Sequence, residues 1–598
     1  MGSGTIGTRR RKQQVRLMCR IYGYFGRGFD SSGMAAARDA QLSGGPDYQR
    51  HVTGDGWAVG CNRLSIQDPD SGFQPFTNGD GSVHLVFNGE IYNFRAIRSE
   101  LAQHGVQVDG DCDASVLLPY YELHGDRFVD QLEGMFSIAL VDLRFGQRMK
   151  IWCDPLAIKS VYYFVTDEGV AFASELGGLV ALLKQPLSVD PLAVDNYLDL
   201  QCLPGGASLY GGISVLLPGE QLVCCDTDTV VERRTRDSNP PDDELTPRGL
   251  RARLSHEVTR MSVQSAPIAV QVSGGLDSSI LATLLSARRD DVTGFHVTHE
   301  GGHPTDELVF ARAAASHARI PLQVVEVRPA ELPDLIPAMV TALGAPNATP
   351  HALSAFVLFR EIARSGFRVC FVGDGADEQF GGYRRYTTAL AANNDDWPSR
   401  YLDRLSLVPR AEYRQLYTPE YRDLVDSSVT SRQRALEVLN RPAPSRLEQV
   451  LAHDRLYKLP GLNLRKLDHL SMAHAVEGRV PYCQPGVTRF ARHTPDALKV
   501  DGSRRKQILW DAGAGLVPSL VQHRSKQPFT FPVNAFMKQP SKLWDFVIDV
   551  LTRPRLCLWG FLDESAVRKV IAEHVAGQDH SRLLWGLMVL ELSISQPA

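Results

Sequence analysis

What this 598-residue chain lacks already bounds it. No window approaches the ~18 uninterrupted apolar residues of a membrane-spanning helix, so no transmembrane segment and no membrane partner are expected. Charge of either sign is not in surplus: 64 Lys+Arg against 68 Asp+Glu leave −4. Nucleic-acid binders carry a basic excess that exchanges for counterions, so no nucleic-acid partner is expected. The ten cysteines are scattered, with no CxxC and no Cys/His spacing suited to zinc, which argues against a disulfide framework and a structural metal. The first residues hold Arg9, Arg10, Arg11 and Lys12, but no apolar stretch and no small-residue cleavage site follow. A secretory signal is not indicated, and a cytoplasmic location is the default expectation. Repeats and low-complexity tracts are absent as well. What remains, 43% hydrophobic and 22% charged, is the make-up of globular domains, with length for about two to four of them.

Two parts read differently. From Cys19 to about Cys225, short apolar runs (83–87, 136–141, 161–164) are punctuated by Gly, Asn and Asp, a pattern of stacked β-sheets with few helices. The stretch 226–249, with Asn239, Pro240, Pro241 and several acids, reads as a solvated linker. Beyond it an apolar strand, 267–272, runs into Ser273-Gly274-Gly275-Leu276-Asp277-Ser278-Ser279 and then a helical 280–287. Further strand candidates at 293–297, 322–327 and 369–373 alternate with helical segments 308–317 and 352–365, the rhythm of parallel βα units. After Tyr386 the pattern is mostly helical.

Glycines 274 and 275 let backbone approach an anion closely, and the following helix directs N–H groups and the positive end of its dipole at it. Phosphate is the natural guest. The loop lacks the Gly-Lys-Ser/Thr ending of a Walker A motif and carries Asp277 instead. A carboxylate beside phosphates needs a divalent cation between them, which makes Asp277 a candidate Mg2+ ligand. Taken alone, Ser-Gly-Gly is equally well a plain turn. A second loop, Val372-Gly373-Asp374-Gly375-Ala376-Asp377-Glu378, again follows a strand and again sets carboxylates beside glycines. At the ends of neighbouring parallel strands the two loops would face one crevice, where ligands of open α/β sheets bind.

Ser273-Gly-Gly-Leu-Asp-Ser-Ser279 is similar to the pyrophosphate loop of ATP pyrophosphatases. Together with Gly373-Asp-Gly-Ala-Asp-Glu-Gln-Phe-Gly-Gly-Tyr383 and Leu470-Ser-Met-Ala-His-Ala-Val-Glu-Gly-Arg-Val-Pro-Tyr482, it resembles the synthetase half of glutamine-hydrolysing asparagine synthetases. The resemblance extends over nearly the whole chain from Cys19 onward. It implies, for 250–598, a doubly wound parallel α/β domain with a helical C-terminal part. The implied chemistry is cleavage of ATP to AMP and pyrophosphate, forming an acyl-adenylate that an amine attacks. In that reading Val272, Ser273, Gly274, Gly275, Ser278, Val297, Val372 and Gly373 form the ATP site, and Asp277 and Asp377 hold Mg2+ and pyrophosphate. Lys506 is a further phosphate contact and Asp374 a catalytic residue of the second loop. Lys526, in Arg524-Ser-Lys-Gln-Pro-Phe529, matches the family lysine that stabilises charge on the adenylate, a task suited to a flexible point cation. On its own, a lysine in a basic run is a solvated surface residue.

The first half, 19–225, resembles the glutaminase domain of the same family, an αββα amino-terminal-nucleophile fold whose nucleophile is a first-position cysteine. Met18-Cys19-Arg-Ile-Tyr-Gly-Tyr-Phe matches that start. A terminal cysteine carries its own base, because an α-amine of pKa ~8 can take the proton of a thiol of pKa ~8.5. By resemblance Asn88 and Gly89 form the oxyanion hole. Arg63, with Leu64, Ser65 and Ile66, grips the glutamine α-carboxylate, and Glu90 and Asp111 bind its α-ammonium. Singly, Asn-Gly is the commonest hairpin turn and a lone Arg or Asp a surface charge. Their order with Gly45-Pro46-Asp47 and Phe172-Ala-Ser-Glu175 carries the match. As numbered, 18 residues precede Cys19 and would make its nitrogen an amide. Either residues 1–18 are a start-site artefact or removed, leaving Cys19 first, or they persist and the glutaminase is silent. The first pair is preferred.

Three segments depart from the family pattern: Leu343-Gly-Ala-Pro346, Pro481-Tyr-Cys-Gln484 and Cys153-Asp-Pro-Leu-Ala157. Acids missing there suggest an acceptor other than aspartate. Two other function classes compete with the amidotransferase: a β-lactam or lasso-peptide type cyclase that needs no glutamine, and a scaffold with a degenerate site. The retained Cys19, Arg63, Asn88, Gly89, Glu90 and Asp111 oppose the first, and intact Asp277, Asp377 and Lys526 the second. A buried ammonia passage between the halves is expected, and a homodimer is left open.

Overall fold

The computed structural model of the protein describes residues 19–45, 47–63, 72–225, 228–234, 240–241, 244–262, 266–303, 306–392, 394–502, 504–522 and 531–595. In β1 (Arg20–Gly26) the two-residue period of a strand sends Ile21 and Phe25 to one face and Tyr22 and Tyr24 to the other. Ile21 and Phe25 meet Trp57, Val59 and Cys61 of β2 (Trp57–Arg63), Val86 of β3 (Val83–Ile91) and Ala139 and Val141 of β4 (Gly134–Asp142). That core lies between two six-stranded antiparallel sheets. The opposite face of β1 packs on α1 (Met34–Ala40) and α4 (Leu176–Leu183). Leu85, Phe87, Phe136, Ile138 and Leu140 of the other sheet pack on α2 (Phe94–Gln103) and α3 (Leu117–His124). The layers therefore run α, β, β, α, as the sequence led us to expect.

The segment expected as a linker, 226–249, is partly structured. Asp228–Arg233 pairs with Glu220–Cys225 as the edge strand of the second sheet, and a helix begins at Pro247. Spatial and sequential divisions also differ at α5 (Pro191–Leu200). It precedes the linker, yet its polar face is satisfied by the second half: Asp195 accepts from Tyr417, Asp199 from Ser406 and Tyr413, and Tyr197 donates to the Gly586 carbonyl, all at 2.9 Å.

Five parallel strands centre the second half: β5 (Ile268–Gln271), β6 (Val292–His299), β7 (Leu322–Val327), β8 (Val369–Phe371) and β9 (Glu477–Arg479). Their order is β7-β6-β5-β8-β9. Chain direction across the sheet reverses between β5 and β8, so the loops after these two strands part around a crevice. The first four strands overlap the runs read from sequence. The fifth was not foreseen, because Glu-Gly-Arg has no apolar signature; Glu477 and Arg479 are buried as an ion pair where the halves meet.

That interface is built on buried charge. Asp468 of α7 (Arg465–Met472) takes Arg20 Nη1 at 3.0 Å and Lys159 Nζ at 2.7 Å, with all three side chains at most 2% exposed. Arg20 also reaches Glu175 at 2.6 Å. Removing one partner of a buried pair strands the other charge, so Asp468→Ala should destabilise the protein by about 3–5 kcal/mol in urea titrations. A loss under about 1 kcal/mol would contradict this account of the interface.

The next residue, His469, is buried, and burial together with neighbouring Arg20 lowers its pKa to about 4. The native ring is neutral down to that pH, whereas an unfolded histidine protonates near ~6.5. Its contribution is thus fully present above about 6.5 and lost as pH falls towards about 4. The stability of the wild type relative to His469→Gln should rise by about 2–3 kcal/mol between pH 4 and 7, then level off. A pH-independent difference in urea midpoints would refute it.

Candidate active sites

Cys19 is half-buried one residue before β1, against the core between the sheets. Across from it, Asn88 and Gly89 lie within β3, opposite Ser137 and Phe136 of β4. They are therefore strand residues and not the hairpin turn that Asn-Gly so often marks. Asn88 is fully buried, its Nδ2 3.5 Å from Ser174 Oγ, and its Oδ1 has no partner among the described residues. Ser174 Oγ in turn accepts the N–H of Ile21 at 3.0 Å, which ties the amide to the strand that Cys19 leads. Gly89 has φ +143°, and a Cβ there would sit 2.0 Å from the Met135 carbonyl oxygen, so only glycine fits.

Arg63 ends β2, buried and 5.2 Å over the ring of Phe73. Leu64, Ser65 and Ile66 lie outside the described residues. Glu90 is buried, and burial, then the nearby Glu477 and Asp113, push its carboxyl well up, against the pull of Arg479 at 3.5 Å. Asp111 has a more open setting. Its side chain is 70% exposed and paired with Arg98 at 2.9 Å. Asp113, two residues on, is the buried one; it accepts the Ile91 N–H at 2.8 Å, and burial raises its pKa to about 6. Nothing in the local sequence Asp111-Cys-Asp113 separates the two acids; the turn into the 3-10 helix Asp113–Val116 sends the second inward and leaves the first open to solvent.

In the second half the loops after β5 and β8 abut. A Cβ on Gly373 would lie 3.1 Å from Asp277 Cβ, and one on Gly274 (φ +74°) would meet Phe310 at 2.5 Å. Asp277 stands in the first turn of α6 (Leu276–Ser286), whose Ser278 Oγ is 3.1 Å from Ser273 Oγ and accepts the Ser273 N–H. Lys506 Nζ joins the loops, 2.6 Å from Asp277 and 2.7 Å from Asp377. Burial opposes its charge, but the two carboxylates outweigh that and keep it protonated. These groups open on a cavity of about 1760 Å3, lined also by Ser273, Gly275, Ser278, Gly373 and Asp374. Val272, Val297 and Val372 are buried in the core beneath it. Lys526 lies outside the described residues.

Lys466 and Lys458, which the sequence did not single out, face the same cavity. Lys458 Nζ reaches Glu378 at 2.9 Å, a carboxylate that also accepts from Asn463 and Tyr383. Lys466 Nζ is 2.8 Å from His351 Nε2, and burial then the two lysines keep that ring neutral. Lys466 lies four residues before the Leu470–Tyr482 motif, the only hint in sequence. Asp374 is raised by burial, with Lys466 pulling the other way.

The three departing segments lie away from this cavity wall as described. Gly344 sits against His469 and Leu176. Asp154 is a buried cap accepting the N–H groups of Leu156 and Ile158. Tyr482 and Cys483 lean on the backs of the loops, through Asp277 O and Asp374 O, and Gln484 donates to the Val480 carbonyl.

A half-buried cysteine beside an Asn-Gly strand, in one chain with a glycine-loop crevice of a parallel sheet, defines a two-domain glutamine-dependent amidotransferase of the carbon–nitrogen ligase class. Comparison with known proteins agrees: residues 249–595 match the asparagine synthase family and residues 18–234 the glutamine amidotransferase domain. The chain belongs to the asparagine synthase family. It is 26% identical over 593 residues to asparagine synthetase (glutamine-hydrolyzing) 1 of Bacillus subtilis, covering 91% of this chain and 90% of that one. It is 25% identical to amidase chyE of Penicillium rubens, covering 90% and 89%. A solved glutamine phosphoribosylpyrophosphate amidotransferase from B. subtilis overlaps 51% of this chain and 65% of its own at 14% identity, with a TM-score of 0.27 that adds nothing to the family match. The cyclase alternative is not favoured. No helix among the described residues is long and apolar enough to cross a membrane.

Proposed function

We propose that the protein hydrolyses glutamine at Cys19 and passes the ammonia to a carboxylic acid activated as its adenylate at the crevice between Ser273–Ser278 and Gly373–Asp377. The observation that carries this is the meeting of Asp277, Asp377 and Lys506 within 2.6–2.8 Å at the rim of a large cavity, in one chain with the Cys19 and Asn88-Gly89 site. Cys19 attacks the carboxamide, Asn88 and the Gly89 N–H receive the oxyanion, and Arg63 takes the α-carboxylate. Glu90 and Asp111 take the α-ammonium, with the buried Asp113 beside Glu90. ATP binds against the loop backbones, with Lys506 near its phosphates. Two carboxylates, completed by phosphate oxygens, suit Mg2+, which is held by few protein ligands. Among the described residues no group of three or more His, Cys, Asp or Glu is placed to hold a metal without them. When bound, Mg2+ would neutralise the pyrophosphate that leaves; Asp277 and Asp377 are the residues to hold it. Lys526 is assigned to the adenylate on the motif alone.

Incubation with ATP, Mg2+, glutamine and aspartate should release pyrophosphate and glutamate together. Glutamate without any pyrophosphate for every acid tried would refute the ligase reading. Asparagine as product identifies aspartate as acceptor. The cavity size favours a second reading, since about 1760 Å3 exceeds the roughly 300–1,000 Å3 usual for small-molecule sites. Beyond the nucleotide, room remains for an acid larger than aspartate, next to Lys458 and Lys466. Pyrophosphate release across a panel of acids separates the two.

A further inference from the structure

The glutaminase nucleophile has a second thiol beside it. Cys61 of β2 is opposite Ile21 in the β1–β2 ladder, and Ile21 and Cys61 face the same interior, with Cys19 packed against that cluster. Cys19 is thus the diagonal neighbour of Cys61, and the two thiols are hydrogen-bonded. Cys61 is 1% exposed; its Sγ otherwise meets only backbone carbonyls, Asn62 O at 3.5 Å and Phe87 O at 4.0 Å. Nothing in glutamine hydrolysis as derived above uses it. We propose that Cys19 and Cys61 form a redox-active pair, in which a peroxide-class oxidant converts the nucleophile reversibly into a Cys19–Cys61 disulfide.

The geometry allows the bond. Diagonal strand neighbours have Cα atoms about 7–8 Å apart, and a disulfide takes about 4.4–6.8 Å. Closing that gap needs a shift of an ångström or so. Cys19 can supply it because it lies outside the ladder, whose first pair is Arg20 with Asn62. The chemistry balances in two steps. The Cys19 thiolate attacks a peroxide oxygen, the O–O bond breaks, and with one proton the products are Cys19–SOH and water. The Cys61 sulfur then attacks the sulfenic sulfur, its proton and the hydroxyl leave as water, and the S–S bond forms. Two equivalents of a thiol reductant restore both cysteines and carry away the electrons as their own disulfide. A nucleophile caught at the sulfenic stage escapes the irreversible sulfinic and sulfonic acids. Burial, which holds Cys61 as a thiol, keeps it from being oxidised independently of Cys19.

The test uses the full-length protein treated with hydrogen peroxide, then dithiothreitol. Peptide mapping under non-reducing conditions should find a Cys19–Cys61 cross-link, with the intact protein about 2 Da lighter. Glutamate formation should fall at least about tenfold and return to most of its starting rate on reduction. Cys61→Ser should hydrolyse glutamine at the wild-type rate before treatment, yet recover little after oxidation, its Cys19 driven to sulfinic acid. Reversible inactivation of Cys61→Ser equal to wild type, or no such cross-linked peptide, overturns the proposal. Should Cys61→Ser fail to fold, the peptide map of the wild type decides alone. The proposal takes the role of Cys19 from the function proposed above, but the cross-link does not require activity. A cross-link in protein without glutaminase activity would count against that function and leave the thiol pair standing.

Discussion

Glutamine-dependent turnover of Cys19→Ala is expected to fall by about 10^4-fold or more, while ammonium chloride still supports ATP-dependent pyrophosphate release with the acceptor. No other group near this end of β1 can replace the nucleophile: Cys61 is buried one strand across and directed into the sandwich core. The two half-reactions separate because Cys19 lies against the sandwich, whereas the cavity wall is drawn from the second half together with Leu200, Gln201, Cys202 and Pro204. Asn88→Ala should lose less, about 10²–10³-fold, as one oxyanion donor is worth roughly 3 kcal/mol. Loss of ammonia-dependent synthesis in Cys19→Ala would contradict the two-site scheme.

Pyrophosphate release by Lys506→Met is expected to drop about 10²–10³-fold, with glutamine hydrolysis held within about twofold of wild type. Lys506 is 4% exposed and compensates two carboxylates that approach through it. Without it Asp277 and Asp377 repel each other and any phosphate beside them. Gly382 shows how tightly the group is drawn, since a Cβ there would fall 1.7 Å from Asp377 Oδ1. Asp277→Asn should show the same split between the two activities. Equal loss of both activities in both variants would mean general unfolding, and unchanged pyrophosphate release would remove Lys506 from the site.

The sequence by itself determined the order of the elements and the chemistry they carry. Strand runs 83–87 and 322–327, the helix after Gly275 and the paired loops at 273–279 and 372–378 are written in local patterns, because period, turn glycines and motif spacing are properties of neighbouring residues. Ser273–Ser279 and Asn88-Gly89 could be named for the same reason. What only the tertiary structure decided is which polar residues are buried and against what. Asp111 and Asp113 are chemically alike, and one faces Arg98 in solvent while the other is sealed beneath Ile91. Glu477-Gly-Arg479 is a buried edge strand without an apolar residue because its charges are matched by each other and, across the domain interface, by Glu90. The departing segments turned out to brace loops and interface, and Lys458 and Lys466 turned out to line the cavity. Burial and long-range pairing are set by which surfaces meet, and several of the partners lie far off in the chain, Arg479 from Glu90, Lys458 from Glu378 and Lys466 from His351.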